Sequence, residues 1–148
     1  ARQAQQLEEE RTQLAEVVSR ASMLEISSFQ MTPLNKRDRK TTVYSQILKL
    51  QFDYTIARNI TNTPGLKTLY LRVTRPDGEV MQKNVHDVFA FENSEIAYSV
   101  SKDFEYEGEE VSGAMYWLVE EILQVGIYNA DFFVDGELIG SFPFEIHQ

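Results

Sequence analysis

The sequence predicts a mainly β protein: an antiparallel two-sheet β-sandwich preceded by an N-terminal α-helix. Three observations indicate this class: a change of hydrophobic period near residue 22, alternation of apolar and polar residues after it, and regularly spaced turn residues. We therefore divide the 148-residue chain into a helical stalk over 1–22 and a β domain over 23–148. A closed β-barrel is the second candidate for the β domain.

The first segment consists of strong helix formers and contains neither Gly nor Pro. Leu7, Leu14 and Ala21 lie seven residues apart, and Val18 occupies a second apolar position of the same heptad. These four residues predict a helix–helix seam. The segment is typical of the end of a longer coiled coil that begins upstream of Ala1. The alternative is an amphipathic helix packed on the side of its own β domain.

The remainder of the chain shows the alternation of half-buried strands. It is clearest from Leu48 to Ile56, where every second residue is apolar. The predicted strands are 23–31, 43–57, 66–75, 79–83, 95–106, 111–121, 126–134 and 138–146. The turn residues between strands are Pro64-Gly65, Pro76-Asp77-Gly78, Glu107-Gly108 and Asp135-Gly136. Residues 84–94 are predicted as an irregular crossing.

Two local motifs carry a resemblance to a known class of domain. Residues 126–146 read GIYNADFFVDGELIGSFPFEI, and 69–79 read LYLRVTRPDGE. The first resembles the closing hairpin of immunoglobulin-like domains in bacterial envelope proteins, and macroglobulin-type domains are similar there. The second is similar to a strand and turn of the same immunoglobulin-like domains. The layout resembles coiled-coil-tethered immunoglobulin-like proteins of unknown function from the bacterial cell envelope.

This resemblance implies an immunoglobulin-like sandwich and a periplasmic or cell-envelope location. Export or anchoring would then depend on a segment upstream of Ala1, and a cytoplasmic location stays open.

Charge and composition exclude several functions. The net charge is −9, and residues 43–148 alone carry 7 basic and 17 acidic side chains, a net of −10. Such a domain repels phosphate backbones, so we expect no nucleic-acid partner. The chain contains no cysteine, which excludes disulfides and thiolate metal sites. No run of 18 apolar residues is present, and we expect no membrane contact by these residues.

Several polar groups are candidates for chemistry, each with a simpler structural interpretation. His86 and His147 have no zinc-site spacing. The carboxylates of 103–110 would suit a hard cation, but a solvated hairpin tip is favoured. The basic cluster 36–40 would suit an acidic surface or lipid headgroups, but an exposed loop is favoured. Asn59-Ile60-Thr61 matches a glycosylation sequon by pattern.

We therefore expect a non-enzymatic structural or protein-interaction module without a metal or cofactor. Its expected partner is another protein, with a second copy as one candidate, bound through the helix seam or an exposed strand edge. A carbohydrate-binding module that uses Tyr116 or Trp117 is the first alternative, although Trp117 is expected in the core. A hydrolase that uses Glu120, Glu121 or Asp131 is the second.

Overall fold

A computed structural model describes residues 23–148. These residues form nine strands: β1 Ile26–Leu34, β2 Lys49–Ile56, β3 Gly65–Thr74, β4 Val88–Phe91, β5 Ser94–Ala97, β6 Val100–Tyr106, β7 Val111–Leu118, β8 Gly126–Val134 and β9 Glu137–Ile146. The predicted helix 1–22 lies outside the described residues, and so do its seam residues Leu7, Leu14, Val18 and Ala21. The stalk and the domain boundary at residue 22 thus stay predictions.

The strands form two main sheets and a separate hairpin. One sheet has the order β1-β2-β7, the other has the order β6-β3-β8-β9, and β4 pairs with β5. Every pair is antiparallel. The prediction of a mainly β fold with antiparallel sheets is confirmed, and the sheets of residues 23–148 do not close into a barrel. No helix in this part of the chain has the length and hydrophobicity needed to cross a bilayer.

The two sheets share one hydrophobic core between their inward faces. In β2 the alternation places Leu50, Phe52, Tyr54 and Ile56 inside, all at most 3% exposed, with half-buried residues between them. Aromatic rings then join the sheets: Phe52 lies 5.7 Å from Phe144 of β9, measured between ring centroids. The period-2 pattern in the sequence is therefore the pattern of contact with the opposite sheet.

The hairpin β4–β5 covers the outer face of the four-stranded sheet. Phe89 of β4 stacks on Tyr70 of β3 at 4.5 Å and meets Phe133 of β8 at 5.0 Å. Both Phe132 and Phe133 are buried, although neighbours in a strand face opposite sides. A register shift between them occurs in the β8–β9 pairing, and Phe133 is enclosed by the hairpin rather than by the main core.

Four sequence-based assignments are wrong. The range 95–106 was predicted as one strand, but it covers most of β5 and all of β6, which lie in different sheets. The range 43–57 was also predicted as one strand, but β2 begins only at Lys49, after a 3₁₀ helix at Tyr44–Gln46.

The range 84–94 was predicted as an irregular crossing, but it contains β4 and the turn into β5. The range 79–83 was predicted as a strand, but it makes only one isolated bridge, between Thr74 and Val80. The turn Arg75–Gly78 brings Val80 back to β3, and the chain then leaves the sheet.

β1 and β2 pair antiparallel over their full length, and the two ends of this pair define the two ends of the domain. Ile26 pairs with Ile56 at one end, and Leu34 pairs with Lys49 at the other. Eight residue steps along β1 correspond to about 26 Å. We call the end at Ile26, where residues 23–25 lead into β1, the near end. The end that holds the connections 35–48, 75–87 and 119–125 is the far end.

Three tyrosines are buried in this core, and two of them anchor their hydroxyl groups through hydrogen bonds. Tyr106 donates to the carbonyl oxygen of Ala57 at 2.7 Å, and Tyr128 donates to that of Gln124 at 2.7 Å. Tyr54 lies against Gly113 of β7, where a Cβ would meet its hydroxyl oxygen at 2.6 Å. Burial raises the pKa of all three phenols above the ordinary value of 10.0.

These raised pKa values predict a loss of stability at alkaline pH. The unfolded chain ionises its tyrosines near pH 10, whereas the three buried phenols stay protonated in the folded state. Their contribution is full below about pH 10 and is lost as the pH rises through their folded pKa values. Absorbance at the tyrosinate band, recorded against pH, should show a late-titrating fraction of the seven tyrosines. Superimposable curves for native and denatured protein would contradict this.

Candidate functional site

The basic cluster forms an ordered loop at the far end, between β1 and β2. Asn35 organises it: its Oδ1 accepts hydrogen bonds from the backbone N–H groups of Arg37 at 2.9 Å and Arg39 at 3.2 Å. Its own N–H donates to the carbonyl oxygen of Arg39 at 2.8 Å, and Asp38 adopts a left-handed φ of 57°. An Asn that bridges backbone groups in this way fixes the path of a turn. The loop 35–40 therefore has a defined shape.

The loop 35–40, which we call the far-end loop, carries positive charges that form no ion pair within residues 23–148. Its four cations are all exposed: Lys36, Arg37, Arg39 and Lys40. None of the four makes an ion pair with any residue of 23–148. The single carboxylate of the loop, Asp38, is instead bound by Lys49 of β2 at 3.0 Å. The loop is thus a local cationic surface on a domain whose other residues carry a net negative charge.

A shallow groove of about 480 Å³ borders this loop, lined by Asn35, Lys36, Arg37, Ser45, Gln46 and Leu48. Leu48 is 46% exposed, and the nearby connection also exposes Val43. Leu48 began the alternating run in the sequence, but its backbone bridges Leu34 and Val119 and its side chain faces solvent. Exposed apolar area beside arginine is a combination common at protein interfaces, and Arg37 lines this groove.

A second concavity, a cleft of about 350 Å³, lies at the same end between the connections 75–87 and 119–125. Trp117 and Tyr128 contribute to its lining. Trp117 is only 8% exposed, as expected of a core residue, and the Lys83 amine lies 4.2 Å from its ring centroid. Its ring therefore offers no open face for stacking a sugar. Tyr116 is 50% exposed, so of the two candidate aromatic residues only Tyr116 has a ring open to solvent.

Only two of the three carboxylates proposed for a hydrolase lie at this cleft. Glu120 and Glu121 line it, and Glu120 forms an ion pair with Lys83 at 3.3 Å. Asp131 lies in β8, is not part of the lining, and accepts a hydrogen bond from Asn129 at 2.7 Å. Across the cleft, a hydrogen bond from Gln124 lowers the pKa of the Asp77 carboxyl, with a smaller contribution from the Glu79 backbone.

The acidic segment 103–110 lies at the near end, as a strand and turn. Asp103 and Glu105 are exposed on β6, while Tyr106 faces the core. Thr68 donates to Asp103 at 2.8 Å. Within 23–148, no group of three or more His, Asp or Glu residues is arranged to hold a metal ion.

The remaining candidates have local structural roles. The His86 N–H donates to Asn84 Oδ1, and His147 lies 3.7 Å from Glu145. The sequon residue Asn59 uses its side chain at the near end: Nδ2 donates to the carbonyl oxygen of Met23 at 2.9 Å, and Oδ1 accepts from the Thr61 hydroxyl at 2.7 Å. This amide ties residue 23 to the β domain.

Two lysines, which the sequence-based reasoning missed, occupy the open edge of β7. Lys102 Nζ donates to the carbonyl oxygen of Ala114 at 3.3 Å, and Lys83 Nζ donates to that of Leu118. Lysines along an edge strand hinder its pairing with another chain. The signal for Lys102 was visible: it lies in phase with the inward-facing Phe104 and Tyr106, where an apolar residue is the usual choice. Strand addition at β7, one of the expected modes of partner binding, is therefore disfavoured.

These features describe a small antiparallel β domain with a cationic loop at one end, an acidic turn at the other and lysines along the edge strand β7. The chain belongs to the family described as "Domain of unknown function (DUF8428)", whose model matches residues 27–147. A comparison with curated proteins finds no match.

Two solved structures are similar in part. The first is "Pseudomonas fluorescens alkylpurine DNA glycosylase AlkC bound to DNA containing an abasic site analog", 13% identical, with a TM-score of 0.45 over 84% of this chain and 30% of that one. The second is "Crystal structure of Se-Met labeled Beta-glucosidase from Kluyveromyces marxianus", 10% identical, with a TM-score of 0.47 over 84% of this chain and 14% of that one. Neither likeness informs the function of this chain.

Removal of the edge lysines should promote association through β7. In the variant Lys83→Ser/Lys102→Ser the carbonyl oxygens of Ala114 and Leu118 lose their donors and become open to another strand. We expect faster growth of light scattering and of thioflavin T fluorescence than in the unmodified protein. The control Lys36→Ser/Lys40→Ser makes the same change in net charge away from β7 and should show no increase. Equal behaviour of the two variants would refute a protective role.

Proposed function

We propose that the protein is a non-enzymatic interaction module, an immunoglobulin-like domain displayed on a helical stalk in the cell envelope. One observation carries the proposal. Residue 23 leads into the β domain at the near end, where Asn59 holds its carbonyl group, while the ordered cationic loop lies about 26 Å away at the far end. A domain that receives the stalk at one end and carries an ordered loop at the other has the geometry needed to present a surface to a partner.

The immunoglobulin-like assignment is supported by the strand order. In such domains the strands A, B and E lie in one sheet and C, F and G in the other. The order β1-β2-β7 corresponds to A-B-E, and β3-β8-β9 corresponds to C-F-G, with β6 added beside β3. The hydrogen bond from Tyr128, near the start of β8, to the carbonyl oxygen of Gln124 resembles the tyrosine corner of this class.

The stalk and the location rest on the sequence. Apolar residues at heptad spacing in 1–22 support a helix that associates with a second helix, and the resemblance to tethered envelope proteins supports export or anchoring by an upstream segment. The partner is then another protein or a second copy of the chain. Four unpaired cations and the partly apolar groove at the far end support protein binding there.

A point substitution tests the stalk. Leu14→Glu places a charge in the predicted seam and should lower the molar mass of residues 1–148 measured by light scattering at high ionic strength, where contacts between surface charges are screened. The control Gln13→Glu adds the same charge on the predicted outer face and should leave the mass unchanged. A monomeric unmodified protein, or identical masses for both variants, would contradict a self-associating stalk.

A further inference from the structure

The two ends of the domain carry complementary charge. At the far end, the loop 36–40 holds four cations without an ion pair in the described chain, and its one carboxylate is bound by Lys49. At the near end, the segment 103–110 holds five carboxylates, of which Glu109 alone forms an ion pair within residues 23–148, with Arg58 at 3.7 Å. Glu107 and Glu110 are exposed in the turn between β6 and β7.

These two surfaces do not neutralise each other within one molecule. The acidic turn adjoins the pair Ile56–Val111, whereas the cationic loop adjoins the pair Leu34–Lys49, at the opposite end of β2. The length of the strand, about 23 Å, exceeds the Debye length of about 8–10 Å at physiological salt. Contact between the two surfaces therefore requires two molecules.

We propose that the far-end loop of one copy docks onto the acidic turn of a second copy. This inference rests on the proposed function as an interaction module and names its partner. Loop and turn are different surfaces, so the contact is heterologous and arranges the domains head to tail. Each copy in such a row keeps one free loop and one free turn, and association is open-ended rather than limited to a dimer.

The charges of the chain favour a second copy over a polyanion. The chain has a net charge of −9, so the chain outside the loop, taken together, repels nucleic acid or an anionic bilayer. A second copy instead offers the carboxylates of 103–110, which lie beside the exposed Leu66 at the start of β3. In the same way, the exposed Leu48 and Val43 lie near the cationic loop. Both surfaces thus combine charge with exposed apolar area.

Charge reversal of each surface in the full chain tests the contact. The loop variant is Arg37→Glu/Arg39→Glu, which leaves the backbone hydrogen bonds to Asn35 available. The turn variant is Glu107→Lys/Glu110→Lys, at two carboxylates outside any ion pair of residues 23–148. The control is Glu92→Lys/Glu95→Lys, which makes the same charge change as the turn variant at exposed positions of the hairpin β4–β5. Sedimentation equilibrium measures the molar mass against concentration.

We expect the mass of the unmodified chain to rise steadily with concentration at about 0.01 M salt and to fall at about 1 M, where the Debye length is about 3 Å. Either reversal alone should weaken association by about tenfold or more, and the control by less than about twofold. An equimolar mixture of the loop and turn variants should regain association, because the unmodified loop of the turn variant then meets the unmodified turn of the loop variant. Net charge does not produce this rescue, since both variants remain acidic.

Three results would overturn the inference: no association of the unmodified chain at low salt, association that survives both reversals, or association lost in the loop variant but kept in the turn variant. The last result would assign the loop to a different acidic surface. The Leu14→Glu measurement changes neither end of the β domain. A failure of the head-to-tail contact is therefore distinguishable from a failure of the stalk.

Discussion

The burial of two inward sheet faces against each other is the constraint on which the rest of this structure depends. The apolar residues of β2 are sealed by aromatic residues of the opposite sheet, with Tyr54 and Phe132 5.8 Å apart and Phe29 stacked on Phe142 at 5.0 Å. Interiors packed in this way tolerate little change in volume. The core fixes the directions of the strands, and the strand directions place residue 23 at one end and the cationic loop at the other.

The strand edges of this domain are poorly suited to binding a partner. Lysines at β7, Pro33 in β1 and Pro143 in β9 reduce the capacity of the edges to pair with other chains. The outer face of the four-stranded sheet is partly covered by β4–β5. Ordered surfaces at the two ends are then the parts of the domain best suited to recognition, and their opposite charges give recognition a direction.

Much of the fold was predictable because one face of most strands is buried, and burial leaves a period-2 pattern in the sequence. The pattern located β2, and Asp135-Gly136 located the β8–β9 turn, where both residues have positive φ. The hairpin β4–β5 was missed because its turn, Glu92-Asn93, lacks Gly and its aromatic residues pack outside the main core.

The cationic cluster was recognised, but its rigidity was not, since that depends on the hydrogen bonds of Asn35. The edge role of Lys83 depends on the path of 75–87, which local pattern does not reveal.

The far-end loop is an ordered surface and not a flexible, solvated segment, and the proposed interactions depend on this order. Backbone ¹⁵N relaxation of the full chain tests it directly, through the order parameters of Lys36 to Lys40. The account predicts values of about 0.85, similar to those of the flanking strands, because the loop is held by the side chain and backbone of Asn35. Values below about 0.6 across the loop, with rigid strands on both sides, would contradict it.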